Sequence, residues 1–301
     1  MEDIVESIKA FYKSRYARQS GRISVMAITN PYDYNPLIDG MDLLLLVVSD
    51  QTDADRETEH VRMQGVHIQL RTVQPGRLES WLTGVENRSI IQWLMRGDIL
   101  LDHGDYLAKM RQRIVDFPET LREQKRLVEF SAFLRTYLQA KQDLHDENLL
   151  DAHSNILSAL HHWAHIALID EGIHPELTVW RQMRKYHPGI YKLYEELTVS
   201  PETLEQRVRL VLLACEFSVL SNMKSSCNLL MKVMHSRQEP WSIMELQRHP
   251  ELQALHIDLA LVVQKLVHRG VIDEVAILSY EEAAEELADC MELKYRPVAE
   301  G

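Results

Sequence analysis

The pattern of hydrophobic positions divides the chain into a mixed N-terminal part and a long helical part. A continuous apolar run opens at Asp42, and such runs are typical of strands that are buried on both faces. The polar residues at 51–62 predict a surface excursion between two strands. The pattern predicts helices over 3–17, 76–83 and 87–95, strands over 22–29, 42–49 and 65–73, and a short extended piece over 99–102.

The strand predicted over 65–73 alternates between apolar and polar residues. Val66, Ile68 and Leu70 share one face, which we expect to be buried. His67, Gln69 and Arg71 share the other face, so the alternation predicts a half-buried strand with these polar side chains on its open side.

From residue 104 onward the pattern is almost only helical. It predicts helices over 106–117, 119–141, 148–169, 177–186 and 190–197, and one long helix over 200–235 that Ser200 caps. The last segment predicts helices over 242–248 and 254–269, a strand over 271–278 and an acidic helix over 279–290. The predicted fold class is therefore α+β, with a mixed sheet and helices in 1–117, an all-α bundle in 118–235 and a winged-helix-like part in 236–301.

Charge and composition limit which cellular compartment and which classes of partner we expect. The 301 residues contain 33 Lys and Arg against 45 Asp and Glu, which gives a net charge of −12 and argues against a general coat for duplex DNA. The longest apolar run, Leu43–Val48, is far too short to span a membrane, and the N-terminal residues lack the pattern of a signal peptide. Cys215, Cys227 and Cys290 form no CxxC pair. We therefore expect a cytoplasmic protein with buried, reduced thiols and no membrane partner.

Two carboxylates beside the buried strand carry the strongest chemical hint. Asp39 and Asp42 stand at the entrance to the strand, where side chains can point out of the end of a sheet. Carboxylate oxygens are the ligands that Mg²⁺ prefers, and a magnesium ion held in this way clamps nucleotide phosphates. Asp39 and Asp42 are therefore the candidate metal ligands and the weak candidates for catalysis.

These residues resemble the polymerase-β-type nucleotidyltransferase superfamily, in its minimal and kanamycin-nucleotidyltransferase branch. In that family the first strand ends in Gly-Ser, which cradles a phosphate, and Asp-x-Asp begins the second strand. A third acidic residue lies on a later strand. Asp42 with the apolar run after it matches the second Asp, and residues 97–114 resemble the family's passage into its helical domain. The resemblance implies a nucleotidyltransferase-type sheet, a nucleotide as partner and Mg²⁺ as cofactor.

The chain departs from this pattern at the other catalytic positions. Thr29-Asn30 replaces Gly-Ser, Gly40 stands at the first Asp, and His67 or Gln69 stands at the third. Asp39 is one position away from the first Asp. The sequence therefore predicts a degenerate active site that binds a nucleotide through Thr29 and Asn30, or binds a partner. Two alternatives stay open: an active Mg²⁺-dependent nucleotidyltransferase, and a regulatory adaptor that contacts DNA or protein through its C-terminal part.

Three further motifs carry weaker hypotheses. His161 and His165 have the helical spacing of zinc-binding histidines, although a packed helix with a polar edge is the simpler interpretation. Arg181 and His187 resemble a loose ribonuclease pattern of helical nucleotide-binding domains, and a solvated helix end is again simpler. The helix predicted over 254–269 is only mildly basic, so nucleic-acid binding is possible but not favoured. The sequence leaves the oligomeric state open.

Overall fold

A computed structural model of the chain describes residues 2–18, 23–30, 38–51, 58–84, 89–176, 178–278 and 291–298. The chain divides into two compact units, Met1–Pro118 and Glu119–Gly301. Each unit is described by itself below. The finer division of the second unit near residue 236 stays a prediction.

The first unit is built on a mixed β-sheet. Within the described residues its elements are α1 (Glu2–Tyr16), β1 (Ile23–Thr29), β2 (Leu43–Ser49), β3 (Thr58–Met63), β4 (Val66–Val73), α2 (Pro75–Thr83), α3 (Ile90–Arg96), β5 (Asp98–Asp102) and α4 (Tyr106–Asp116). The five described strands lie in the order β3-β4-β2-β1-β5. Every residue of β2 is buried, as the apolar run predicts. On one face, Ile8 and Tyr12 of α1 share a core with Leu43 and Leu45.

Strand directions bring three chain segments to one edge of this sheet. β1 runs antiparallel to β2, with Thr29 opposite Leu43, whereas β2 runs parallel to β4, with Leu43 opposite Ile68. The end of β1 and the beginnings of β2 and β4 therefore meet at the same edge. This is the edge that holds the residues singled out from the sequence.

Two local expectations for this unit are wrong. Part of the predicted surface excursion is β3, an edge strand that pairs antiparallel with β4 and exposes most of its side chains. Gln69, expected on the open side of β4, is only 3% exposed. Leu44 and Leu46 on the neighbouring strand are also fully buried, which shows that both faces of the sheet centre are covered.

The second unit is mainly helical and ends in a hairpin. Its described elements are α5 (Glu119–His145), α6 (Leu149–Asp170), α7 (Val179–Tyr186), α8 (Pro188–Val199), α9 (Leu204–Ser218), α10 (Met223–Ser226), α11 (Asn228–Met234), α12 (Ile243–Arg248), α13 (Leu259–His268), β6 (Ile272–Leu278) and β7 (Met291–Pro297). One hydrophobic core runs through this unit and includes Phe133 of α5, Leu160 of α6 and Val262 of α13. Cys215 and Cys227 are buried in it, as predicted, whereas Cys290 lies outside the described residues.

The structure breaks two helices that the sequence predicts as continuous. The segment predicted over 200–235 forms α9, α10 and α11, and Thr203 rather than Ser200 caps it through a capping box with Gln206. The helix predicted over 254–269 begins only at Leu259, because His256 has a left-handed backbone (φ 50°). β7, which pairs with β6, was not predicted. The predicted acidic helix over 279–290 lies outside the described residues. No helix in the described ranges has the length and apolarity that crossing a bilayer requires.

Candidate functional site

The sheet-edge site consists of Thr29, Asn30, Asp39, Asp42, His67 and Gln69. Backbone hydrogen bonds extend the sheet slightly beyond its strands here. The Asn30 N–H donates to the Asp42 carbonyl (3.1 Å), and the Asp42 N–H donates to the His67 carbonyl (3.0 Å). The three segments are thereby fixed side by side, so the sequence-predicted residues do converge on one edge.

The side chain of Asp42 is held by the beginning of strand β4. Its Oδ2 accepts a hydrogen bond from the His67 backbone N–H (2.7 Å) and lies 3.3 Å from His67 Nδ1. The Asp42 side chain is 49% exposed and the His67 side chain 59% exposed. Water therefore reaches both groups, and their mutual attraction is weakened accordingly.

Asp39 is held by the buried Gln69. Asp39 has a left-handed backbone (φ 53°), and Gly40 follows it at φ 77°. This tight turn directs the Asp39 carboxylate toward β4, where Oδ2 accepts a hydrogen bond from Gln69 Nε2 (3.0 Å). The other amide atom, Gln69 Oε1, is buried and has no hydrogen-bond partner in the part of the chain that the structure describes. A buried carbonyl oxygen of this kind is costly unless something donates to it.

Thr29 and Asn30, the remaining members of the site, contribute uncharged hydrogen-bonding groups. Thr29 is exposed at the end of β1, and Asn30 Nδ2 donates to the Met41 carbonyl (3.3 Å). Over the described ranges, no group of three or more His, Cys, Asp or Glu side chains is arranged so that it could hold a metal ion. The edge therefore offers hydrogen-bonding groups for a ligand, but not a cluster of three carboxylates.

The histidine motif in α6 forms a different cluster from the one that its spacing suggests. Glu129 of α5 accepts hydrogen bonds from His162 Nδ1 (2.7 Å) and His165 Nδ1 (2.8 Å). We call these three residues the Glu129 cluster. His161 instead lies beside the His165 ring, with 4.6 Å between ring centroids. A zinc site on His161 and His165 gains no support, because the described residues offer no group of three or more His, Cys, Asp or Glu side chains that could hold a metal ion. Sequence reasoning missed Glu129, whose signal is a lone carboxylate within an apolar helix face.

The structure does not bring Arg181 and His187, the two residues of the loose ribonuclease pattern, into one site. The Arg181 guanidinium, which is largely exposed, lies 4.0 Å from Glu176, and His187 Nε2 lies 3.9 Å from Glu171. Each group faces a carboxylate of its own. The contacts agree with the simpler interpretation of a solvated helix end.

Among the cavities that the described residues line, two lie away from these clusters, one in each unit. The first, of about 620 Å³, is at the opposite end of the sheet and is lined by Ser24, Asp50, His103 and Lys109 among others. The second, of about 800 Å³, lies beside α5 and α9, where Lys141, Arg209 and Glu216 line it with several leucines. Both have mixed charge and are open to solvent.

The helix that would read DNA in a helix-turn-helix module is α13, and its N-terminus is tied to α5. The Asp258 N–H donates to Ser131 Oγ (3.0 Å), and the Asp258 carboxylate pairs with Arg135. Four residues of α13 are buried in the shared core: Leu259, Val262, Val263 and Leu266. The N-terminal end of a recognition helix is the part that meets base edges, and here that end contacts another helix.

Sequence profiles of three families match the chain in succession. A profile described as nucleotidyltransferase-like matches residues 1–122, a YgxA-like substrate binding domain matches 123–222, and a helix-turn-helix domain matches 228–283. The uncharacterized protein YgxA of Bacillus subtilis (strain 168) is 32% identical over 273 residues, which cover 91% of each chain. A crystal structure of a nucleotidyltransferase-like protein from Exiguobacterium sibiricum 255-15 matches with a TM-score of 0.84 and 30% identity, covering 98% of this chain and all of that one. The predicted α+β class, with its sheet, helical region and C-terminal module, is confirmed.

Proposed function

We propose, because this chain belongs to the YgxA family of nucleotidyltransferase-like proteins, that its N-terminal unit binds a nucleotide at the sheet edge without transferring a nucleotidyl group. The observation that carries the proposal is the way β4 holds both carboxylates. Asp39 is hydrogen-bonded to Gln69 and Asp42 to His67, and neither His67 nor Gln69, which stand where the polymerase-β-type superfamily has a third acid, is acidic.

The magnesium clamp of the superfamily does not fit the residues present. Such a clamp needs several oxygen anions, because Mg²⁺ is bound through carboxylates, water and substrate phosphates in octahedral geometry. Within the described ranges the edge supplies two carboxylates, each with its own hydrogen-bonding partner on β4. Thr29 and Asn30 are then the groups nearest to the place where the family binds a phosphate, and they would hold it by hydrogen bonds alone.

Calorimetry with the intact protein tests this proposal. We expect ATP to bind with similar affinity in Mn²⁺ and in EDTA, and we expect no release of pyrophosphate. Thr29→Ala should weaken ATP binding about threefold to tenfold, since it removes one hydrogen bond to phosphate. Asp116→Asn, at the exposed end of α4, is the matched control in the same unit. Metal-dependent pyrophosphate release that Asp42→Ala abolishes would overturn the proposal and establish the active transferase instead.

One observation favours that alternative enzyme. Gln69 Oε1 is an oxygen without a partner among the described residues, and amide oxygens are acceptable ligands for hard cations. Two carboxylates and one amide would then form the ligand set. The same titration decides between the two candidates, because only the enzyme requires the metal for turnover.

A regulatory adaptor is the remaining candidate. The contacts of α13 favour protein rather than DNA as the partner of such an adaptor. The helix-turn-helix match makes nucleic-acid contact possible. However, the attachment of Asp258 to α5 leaves mainly the other end of α13, with His268 and Arg269, exposed. A gel shift at low salt with mixed duplex DNA is the test, and sequence-specific binding would restore the DNA-reading role.

A further inference from the structure

We propose that the Glu129 cluster is a binding site for an uncharged, hydroxyl-bearing ligand, whose hydroxyl groups donate hydrogen bonds to Nε2 of His162 and His165. The cluster lies within the second unit, so the proposal does not depend on the sheet-edge site. The cluster lies inside the segment 123–222 that the substrate-binding profile matches, and of its three residues only His165 belongs to a motif described above.

The hydrogen bonds of the cluster fix the position of the ring protons. An ionised carboxylate can only accept, so each Nδ1 that contacts Glu129 must carry the proton. Burial raises the pKa of Glu129, but the hydrogen bonds from His162 and His165 lower it by more, and the pKa stays well below its usual range. In a neutral imidazole the other nitrogen, Nε2, is then an acceptor.

The two Nε2 atoms are available although the rings are mostly buried. The side chains of His162 and His165 are each 14% exposed, and that of Glu129 is 11% exposed. No residue in the described ranges hydrogen-bonds to either Nε2. A carboxylate that orients one ring nitrogen and leaves the other free is the arrangement by which proteins present an imidazole to a ligand.

The charge around the cluster selects against ions. Lys125 lies one helical turn before Glu129 on α5 and is also buried. Burial lowers the pKa of Lys125 to about 8, partly opposed by the charge of Glu129, so most of this lysine carries a proton at neutral pH. A cationic ligand would meet the charge of Lys125, and an anionic ligand that of Glu129. A hydroxyl group can donate to Nε2 without either repulsion.

Aromatic rings adjoin the cluster on one side. The His161 ring lies beside His165, and its centroid is 5.9 Å from that of Trp180. Trp180 in turn stacks on Tyr194, with 4.0 Å between centroids. Small-molecule sites commonly combine apolar and aromatic walls with a few fixed polar groups. A sugar ring, with apolar C–H faces and donating hydroxyl groups, has the matching chemistry, so we choose hexoses as the probe.

The deciding experiment uses the full chain labelled with ¹⁵N-histidine. We expect His162 and His165 to show the Nδ1–H tautomer at pH 7.5, and D-glucose or D-galactose at millimolar concentrations to shift their Nε2 signals. His67 is the internal control, because it also lies beside a carboxylate but is exposed in the other unit. Inorganic phosphate and methylammonium are the charged probes, and we expect neither to shift the two signals.

A pair of substitutions separates ligand binding from the structural role of the cluster. In His162→Asn/His165→Asn, the asparagine amide can still donate to Glu129 in place of Nδ1, but Nε2 is lost. We expect the double variant to fold and to bind the hexose at least tenfold more weakly by ligand-observed NMR. Should it unfold, protection of native His162 and His165 from diethyl pyrocarbonate by hexose is the second measurement.

Four outcomes would overturn the proposal. They are an Nε2–H tautomer at both histidines, equal hexose affinity in native protein and double variant, a shift caused by a charged probe alone, and no shift or protection with any hexose. A shift of equal size at His67 counts as the last of these, because it reports non-specific contact.

Discussion

At two sites among the described residues a carboxylate lies within 3.3 Å of a histidine Nδ1, and the two sites differ in how much water reaches them. At the sheet edge, Asp42 lies 3.3 Å from His67 Nδ1 and both side chains are about half exposed. Between α5 and α6, Glu129 lies 2.7 and 2.8 Å from two Nδ1 atoms, and all three side chains are nearly buried. The same chemical pair therefore occurs once in a high effective dielectric and once in a low one.

The family resemblance singles out the sheet edge, whereas the stronger electrostatic interaction lies in the Glu129 cluster. The exposed pair lies where the resemblance to the nucleotidyltransferases predicts an active site, yet water weakens the attraction between its two groups. The buried Glu129 cluster lies in the helical unit, away from the residues that carry this resemblance, and the charge of Glu129 must be balanced by its immediate neighbours. Four substitutions can break or sharpen this contrast, and they follow from the largest expected effect to the smallest.

Removal of the buried charge should have the largest effect. We expect Glu129→Gln to lower the free energy of unfolding by about 3–5 kcal/mol at pH 7, because the amide keeps one acceptor oxygen for two Nδ1–H groups and the buried negative charge is lost. Urea denaturation measures this. The depressed pKa of Glu129 stabilises the native protein above the unfolded value near 4.5, and this contribution is lost as the pH falls below it. The gap between native and variant should therefore shrink toward pH 2, and a gap that widens would contradict the assignment.

The buried cation should act in the opposite direction. Lys125→Met is expected to raise the free energy of unfolding by up to about 3 kcal/mol at pH 7, because the lysine pKa falls from 10.5 unfolded to about 8 folded. The sign follows from proton binding: below pH 8 the folded protein carries the full penalty, which declines between pH 8 and 10.5. The advantage of the variant should thus shrink above pH 8 and disappear above pH 10.5. Lys141→Met, at a half-exposed lysine, is the control and should change stability little.

Restoration of an acid at the sheet edge should have an intermediate effect. In Gln69→Glu, a buried carboxylate would stand beside Asp39, and we expect a loss of about 2 kcal/mol in EDTA. Mn²⁺ should recover much of this loss in the variant, seen as a rise in Tm, since the edge then has three carboxylates. Gln69→Leu is the control and should show no metal dependence. A Tm of the Glu variant that ignores Mn²⁺ would show that the carboxylates do not converge.

The exposed pair should have the smallest effect. Asp42→Asn is expected to change the free energy of unfolding by less than about 1 kcal/mol at pH 7, because both charges are solvated and the backbone N–H of His67 keeps an acceptor. Urea denaturation beside Glu129→Gln gives the direct ratio. A loss as large as that of the buried variant would mean that exposure does not account for the difference between the two sites.

The strongly patterned parts of the fold could be predicted from the sequence, and the weakly patterned parts could not. β2 was predictable because its apolar run is uninterrupted. β3 was missed because it is a polar edge strand, and the break after Ser218 because neither glycine nor proline marks it. The convergence of Asp39 and Asp42 with β4 follows from strand order, whereas the burial of Gln69 depends on tertiary packing that covers both faces of the sheet centre.

The histidine motif shows the same limit at the level of side chains. Its helical spacing correctly places His161 and His165 on one face, as their adjacent rings show. The sequence cannot reveal which residue of another helix lies opposite, and Glu129 is 33 positions away from His162. Pairing across helices is decided by packing, so it becomes visible only in the folded unit.

The attachment of α13 to α5 has a consequence for how this chain could evolve. A DNA-reading module that folds alone can be exchanged between genes by recombination. Here the cap of α13 depends on Ser131 and Arg135, and the buried side of α13 completes a core formed with α5. A gene fragment that encodes only residues 228–298 would separate the helix from both. The helix-turn-helix segment and the substrate-binding segment are therefore expected to be inherited as one piece.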